Sequence, residues 1–283
     1  MHGLGNDFIL IDERQKQLST NLSDLGRLLC HRHTGIGADG VIRVLPSTIA
    51  DFKMEIINPD GSVAEMCGNG IRCFARYLFD HDANPKTNYK IETGAGILSP
   101  VIEVEGGRVA GVTVDMGLPV FDVEKIPMKG YTNHAGQRLS LPDGEFRFTA
   151  VSMGNPHVVI FCDETNVKIE DIELQTIGPL VEYHPSFPSR TNVHFVNVLS
   201  ASEIKVRHWE RGAGATMACG TGACACVVAG VLDQQLERDV TVHVPGGDLQ
   251  IRWDQATSRV FMQGPAETVF EGELNSKWNE VSV

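Results

Sequence analysis

A chain of 283 residues with 42% hydrophobic and 21% charged side chains carries enough apolar material for two ordinary domains or one large one, which argues against a disordered protein. Lys and Arg total 24 against 36 Asp and Glu, a formal charge of −12, and the absence of any basic run argues against a nucleic acid partner. No apolar stretch approaches the ~18 residues of a membrane span, which argues against a membrane partner, and Met1 to Asp7 has neither a basic nor an apolar leader region. These features predict a cytoplasmic protein whose seven cysteines (30, 67, 73, 162, 219, 224, 226) are reduced thiols rather than a disulfide framework.

Taken along the chain, Gly5-Asn6-Asp7-Phe8 comes first, and Phe52 to Ile57 then alternates as a strand does before the glycine-rich loop Met66-Cys67-Gly68-Asn69-Gly70. The loop opens a helix with Ile71, Phe74, Ala75 and Leu78 on its apolar face and Arg72, Arg76 and Asp80 toward solvent. Strands follow over Lys90 to Glu92, Ser99 to Glu105 and Arg108 to Val114, with Gly106-Gly107 as a hairpin signal. After Met116-Gly117-Leu118-Pro119 come Gly154-Asn155-Pro156-His157, a strand over Ile204 to Trp209, and the loop Ala218-Cys219-Gly220-Thr221-Gly222. The next helix, through Leu232, is apolar on every face and so is expected to be enclosed; strands over Val240 to Val244, Leu249 to Trp253 and Arg259 to Met262 complete the order.

The second half thus repeats the first. The Cys-Gly loops and the strands that enter them lie 152 residues apart, the Gly94 to Gly96 and Gly246-Gly247 turns 151, and Gly5-Asn6 and Gly154-Asn155 149. Near-constant offsets imply two copies of one supersecondary unit. The expected fold class is α+β: two pseudo-symmetric domains from an internal duplication, each a curved, mostly antiparallel sheet wrapped around a central helix, with the active site in the cleft between them. The expected boundaries are 1–115 for the N-terminal repeat, with the tail 265–283 packing back on it, and 116–264 for the C-terminal repeat.

In each loop a Cys stands at a glycine-rich turn that opens a helix, where unpaired backbone N–H groups and the positive end of the dipole favour an anion. That position predicts a depressed thiol pKa and close approach of a ligand carboxylate. Two opposed thiols are what a 1,1-proton transfer needs, since one removes a proton from one face of a carbon and the other delivers one to the opposite face. Cys30, Cys73, Cys162, Cys224 and Cys226 lie in apolar patterns and read as core. The spacing Cys219-x4-Cys224-x-Cys226 does not suit zinc, because Cys224 and Cys226 point in different directions on one helix. No cofactor motif is evident.

These residues resemble the diaminopimelate epimerase family, cofactor-independent enzymes that interconvert LL- and meso-diaminopimelate on the route to lysine. The resemblance spans nearly the whole chain. It is carried by His2-Gly3-Leu4-Gly5-Asn6-Asp7-Phe8, Gly35-Ile36-Gly37-Ala38-Asp39-Gly40, Asn58-Pro59-Asp60-Gly61-Ser62, Glu65 to Gly70, Gly154 to His157, Arg190-Thr191-Asn192-Val193, Trp209-Glu210-Arg211-Gly212 and Ala218 to Gly222. It implies that Cys67 and Cys219 are the thiolate/thiol pair and that the backbones of Gly68-Asn69 and Gly220-Thr221 bind the carboxylate at the reacting carbon. It further implies that Asn58, Asn155, Asn192 and Arg211 hold the distal L-centre, that Asn6 lines the pocket, and that Glu210 accepts a substrate ammonium. His157 and Glu210 are the implied partners that deprotonate Cys67 and Cys219, and a homodimer is the implied assembly. Relatives often carry Gln where this chain has Gly40, and a short strand ahead of the Met-His-Gly motif that here stands at Met1.

The alternatives are a sibling racemase on the same fold with a single-headed substrate such as a proline derivative or histidine, a thiol redox protein, and a non-catalytic binding protein. Asn58, Asn192, Glu210 and Arg211 favour a two-headed substrate, because a single-headed one leaves those polar groups unpaired.

Overall fold

The computed structural model describes residues 1–16, 18, 21–142, 144–162 and 168–274. The chain divides into two compact units: Met1–Val114 with the segment from Gly264 onward, and Asp115–Gln263.

In the first unit, β1 (His2–Gly3) and β2 (Asn6–Asp12) precede α1 (Leu22–Cys30), which is capped by Asn21 accepting from the Ser23 N–H. Then come β3 (Gly40–Leu45), β4 (Phe52–Ile57), β5 (Val63–Ala64) and α2 (Gly68–His81). Short strands β6 (Ile91–Thr93) and β7 (Gly96–Leu98) lead to the hairpin of β8 (Val101–Glu105) and β9 (Arg108–Asp115). The sheet runs β1-β2-β3-β4-β6-β7 with β5 against β4; the β2/β3 and β4/β6 pairs are parallel and the rest antiparallel. Around Val41 and Ile57, β3 and β4 are apolar on both faces because a helix covers each face, whereas Arg43 and Glu55 pair farther along. Val41 and Ile57 pack with Leu25 and Leu29 of α1, while Ile42 and Ile56 lie against Gly70 of α2.

The second unit repeats this order on a larger sheet. β10 (Gln137–Leu141), β11 (Gly144–Ser152) and β12 (Pro156–Phe161) precede α3 (Leu174–Glu182). β13 (Asn192–Ser200), β14 (Glu203–Glu210) and β15 (Gly214–Thr216) lead into α4 (Gly220–Leu232), and β16 (Asp239–Val244), β17 (Gly247–Trp253) and β18 (Val260–Gly264) follow. Again two pairs are parallel, β12/β13 and β14/β16, in the corresponding places, and the others antiparallel. The match extends to register: Phe8 faces Gly40 across β2/β3 as His157 faces Asn192 across β12/β13. α4 lies against β11, β12, β13 and β17, and Ala223 to Ala229 have no solvent exposure, as an all-apolar helix requires. On the other face of β12 and β13, Val158, Ile160, Val193 and Phe195 join Leu174 and Val181 of α3. Side chains alternate along a strand, so His157 and His194 point to the α4 face.

Two local expectations are corrected. Ser99-Pro100 interrupts the strand expected over Ser99 to Glu105, and β8 begins at Val101, because proline removes a ladder donor. Arg72, expected in solvent, is fully buried: its guanidinium donates to the Gly68 and Pro265 carbonyls and to Asn69 Oδ1. The Gly106-Gly107 turn has φ of 55° and 79°, the paired left-handed conformation that a tight hairpin turn needs. From the expected tail, Glu267 exchanges backbone hydrogen bonds with His2 of the same unit, and residues 275–283 lie outside those described. Among the described residues no helix is long and apolar enough to cross a membrane.

Candidate active site

Cys67 is the N-cap of α2, in extended conformation. The first intrahelical bond runs from Ile71 N to Cys67 O at 2.9 Å, so the N–H groups of Gly68, Asn69 and Gly70 precede the ladder and, with the helix dipole, present a positive potential. The half-buried Cys67 Sγ donates to Asn6 Oδ1 at 3.7 Å, and Asn69 Nδ2 donates to the same oxygen at 3.0 Å. Asn6 in turn donates from Nδ2 to Asp39 Oδ2 at 2.8 Å, and Asp39 and Asp7 share Arg32. Asn6 Oδ1 thus joins Cys67 and Asn69, and Asn6 is held by Asp39, a residue of the Gly35 to Gly40 motif to which the motif alone assigns no role. Asn58 is tied into its own turn, with Nδ2 donating to Ser62 Oγ at 2.9 Å. Gly40 is closed over by Phe8: a Cβ there would stand 3.3 Å from the Phe8 ring and 3.1 Å from the Ile57 carbonyl.

Cys219 is the N-cap of α4, also extended, with the first helical bond from Ala223 N to Cys219 O at 2.8 Å. The sequence reading expects a depressed thiol pKa here, and the structure corrects it. Burial, and then the Glu210 carboxylate through its charge and its hydrogen bond with the thiol, push Cys219 well above the ordinary range. The Thr221 hydroxyl at 3.7 Å and the Gly222 N–H pull the other way without prevailing. Cys219 is therefore a buried thiol beside a carboxylate able to take its proton.

The remaining polar residues of the second unit form a linked support. Asn192, buried, donates from Nδ2 to the Pro156 carbonyl and accepts the Arg211 N–H at 2.9 Å, so it sets the backbone from which the Arg211 side chain departs. Arg211 Nη1 donates to the Ser189 carbonyl at 3.0 Å. Buried Glu182 accepts from Trp209 Nε1, Gly212 N and Arg190, which pins both ends of the Trp209 to Gly212 loop. Nothing in the sequence around Glu182 signals that role. His157 is fully buried, with one ring nitrogen 2.8 Å from Asn155 Oδ1 and the other 2.8 Å from His194 Nε2. Burial, with the charges of His208 and Arg211, lowers its pKa to about 3. Both ring nitrogens of His157 are thus engaged, one by Asn155 and the other by His194.

Cys30, Cys73, Cys162, Cys224 and Cys226 are buried, as core positions should be, and burial pushes Cys30 up to about 11 and Cys73 to about 12. Chemically, the arrangement offers two helix N-termini for carboxylate, a thiol hydrogen-bonded to an amide, a thiol hydrogen-bonded to a carboxylate, and an arginine on a braced loop.

The sequence profile of the family described as "Diaminopimelate epimerase" matches residues 1–121 and 149–269. A diaminopimelate epimerase of Moorella thermoacetica is 52% identical over 275 residues, covering 97% of each chain. One from Methanococcus maripaludis (strain C5) is 45% identical over 276 residues, covering 97% of this chain and 98% of the relative. Among solved structures, a hydroxyproline epimerase from Agrobacterium vitis superposes with a TM-score of 0.66 at 15% identity, covering 93% of this chain and 86% of that one. A methylitaconate-delta-isomerase gives 0.63 at 17% identity, covering 100% and 95%. At these identities the structural likeness is one of fold.

Proposed function

The chain belongs to the diaminopimelate epimerase family, and from that premise we propose that it interconverts LL- and meso-2,6-diaminopimelate, in lysine biosynthesis, with Cys67 and Cys219 as the two acid/base groups. The observation that carries this reading is the repeated placement of a cysteine as N-cap of a glycine-led helix, once in each unit. A thiolate removes the α-proton from one face and the other thiol protonates the opposite face, which inverts the centre. Turnover near ~10 s⁻¹ requires a barrier of about 16 kcal/mol. The leading N–H groups of α2 and α4 supply part of that stabilisation as negative charge moves onto the substrate carboxylate.

The two thiols have different neighbours. Glu210, a carboxylate, takes the Cys219 proton and generates the thiolate, while the Cys67 thiol donates a hydrogen bond to the Asn6 amide and serves as the acid in that direction. After one turnover the protonation states are exchanged, as reversible epimerisation demands. Arg211 with Asn58, Asn155 and Asn192 recognises the distal amino acid head, where a guanidinium fork and amide donors suit a carboxylate. The enzyme works as a cytoplasmic homodimer in this reading, which sedimentation of the purified protein checks.

The test is incubation of the reduced protein with LL-diaminopimelate in deuterated water, beside Cys67→Ala and Cys219→Ala. Deuterated meso product from the parent and loss of turnover in both variants is the expected result. A folded, reduced parent that exchanges no α-proton would refute the reading and direct attention to single-headed amino acids.

A further inference from the structure

Behind Asn155 lies a row of imidazoles that the reaction as described leaves unused. His157 on β12, His194 on β13 and His208 on β14 occupy adjacent strands and are all fully buried. His157 Nδ1 and His194 Nε2 are 2.8 Å apart, and so are His194 Nδ1 and His208 Nδ1. The row ends at His208 Nε2, a buried atom without a hydrogen-bond partner among the described residues; Thr216 Oγ1, on the β15 residue facing His208, is likewise unpartnered among them. Its other end is the Asn155 carboxamide. The His194 ring rests against Gly222 in the first turn of α4, where a Cβ would collide with it, so the ring is held in place.

A neutral imidazole carries one N–H, so a single choice of tautomer sets the whole row. In one arrangement His208 Nδ1–H donates to His194, His194 Nε2–H donates to His157, and His157 Nε2–H donates to Asn155 Oδ1. In the other every bond reverses, Asn155 donates, and His208 Nε2–H is left buried and unpaired. An orphaned buried N–H is rarer than an unused lone pair, which selects the first arrangement. Burial keeps all three rings neutral: it lowers His157 and His208 to about 3 and His194 well below the ordinary range.

We propose that His194 and His208 are positioning residues of the epimerase: the row locks the Asn155 carboxamide with its oxygen toward His157 and its NH2 presented as a donor to a substrate carboxylate. The proposal rests on the reading above that Asn155 meets the distal head of diaminopimelate. It adds two residues that touch no substrate and act only through His157.

The experiment has two arms. Long-range proton–nitrogen spectra of the whole protein labelled with 15N-histidine read the tautomers without substrate, and the expected pattern is Nδ1–H for His208 with Nε2–H for His194 and His157. Steady-state kinetics then compare His208→Leu, which cannot donate to His194, with His208→Asn, whose amide can. His208→Leu is expected to raise KM for LL-diaminopimelate about tenfold with kcat changed less than about threefold, and His208→Asn to recover most of the loss. The reverse tautomer pattern, or a folded His208→Leu with unaltered KM, would overturn the proposal. Should His208→Leu fail to fold, the spectra of the parent and the His208→Asn kinetics decide. A parent that exchanges no diaminopimelate proton defeats the substrate reading alone, because the tautomer pattern is measured without it.

Discussion

At the scale of single residues, Cys219 and Glu210 make a pair whose two effects run in opposite directions. The carboxylate raises the thiol pKa by charge and hydrogen bond, and it is also the acceptor that lets the thiolate form. Glu210→Gln removes both. The Cys219 thiol should therefore ionise at lower pH, as read by thiolate absorbance against a Cys219→Ala blank, while kcat falls by about 10²- to 10⁴-fold from loss of the proton acceptor. A variant whose pKa and kcat both stay unchanged would remove Glu210 from the chemistry. The other thiol donates to the Asn6 amide, which in turn donates to Asp39.

Among the elements, α4 is closely confined. Gly222 faces the His194 ring and Gly220 faces Met262, so the turn after Cys219 is glycine-rich for packing as well as for anion approach. Gly222→Ala should cost about 1–3 kcal/mol through overpacking, measured by denaturant unfolding, and should disturb the Cys219 N-cap. The loops, strands and enclosed helix of this region were legible in the sequence because periodicity and repeated motifs report local structure and burial. What escaped depends on contacts distant in sequence. Arg72 looked like a solvent residue on an amphipathic face, yet the carbonyls that hold it include Pro265, 193 residues away. His194 and His208 sit in strand patterns where an imidazole reads as one polar position among others; only the register of β13 against β14 joins them. The thiol at Cys219 shows the same limit. Its helix-terminal position, visible in sequence, lowers the pKa, but burial and Glu210, visible only in the fold, outweigh it.

For the molecule as a whole, these imidazoles decide how stability responds to acid. His157 and His208 have folded pKa values lowered to about 3 from an ordinary value near 6.5, with burial as the leading cause. Above 6.5 neither state binds the proton and their contribution is complete. As pH falls below that value the unfolded chain takes up protons that the folded one refuses, so stability declines down to about pH 3, where the folded rings protonate too. At about pH 5 the loss is on the order of 2 kcal/mol for each of the two rings, or roughly 10 °C in Tm for both. His243 has the opposite sign, since Asp248 and Glu203 raise its pKa, but that pair is solvent-exposed and contributes little. The lowered carboxylates Asp7 and Asp12 lose their contribution near and below 3.8, beneath the interval from pH 7 to 5 in which the histidines begin to act. All three buried histidines belong to the second unit, whereas His2, His31, His33 and His81 of the first are not buried. Hydrogen exchange should accordingly lose protection first in the strands around α4 between pH 7 and 5, and His208→Asn should flatten the dependence of Tm on pH. A Tm that stays level across that interval in the parent would mean that the rings accept protons without unfolding, and the neutral, single-tautomer row would be wrong with it.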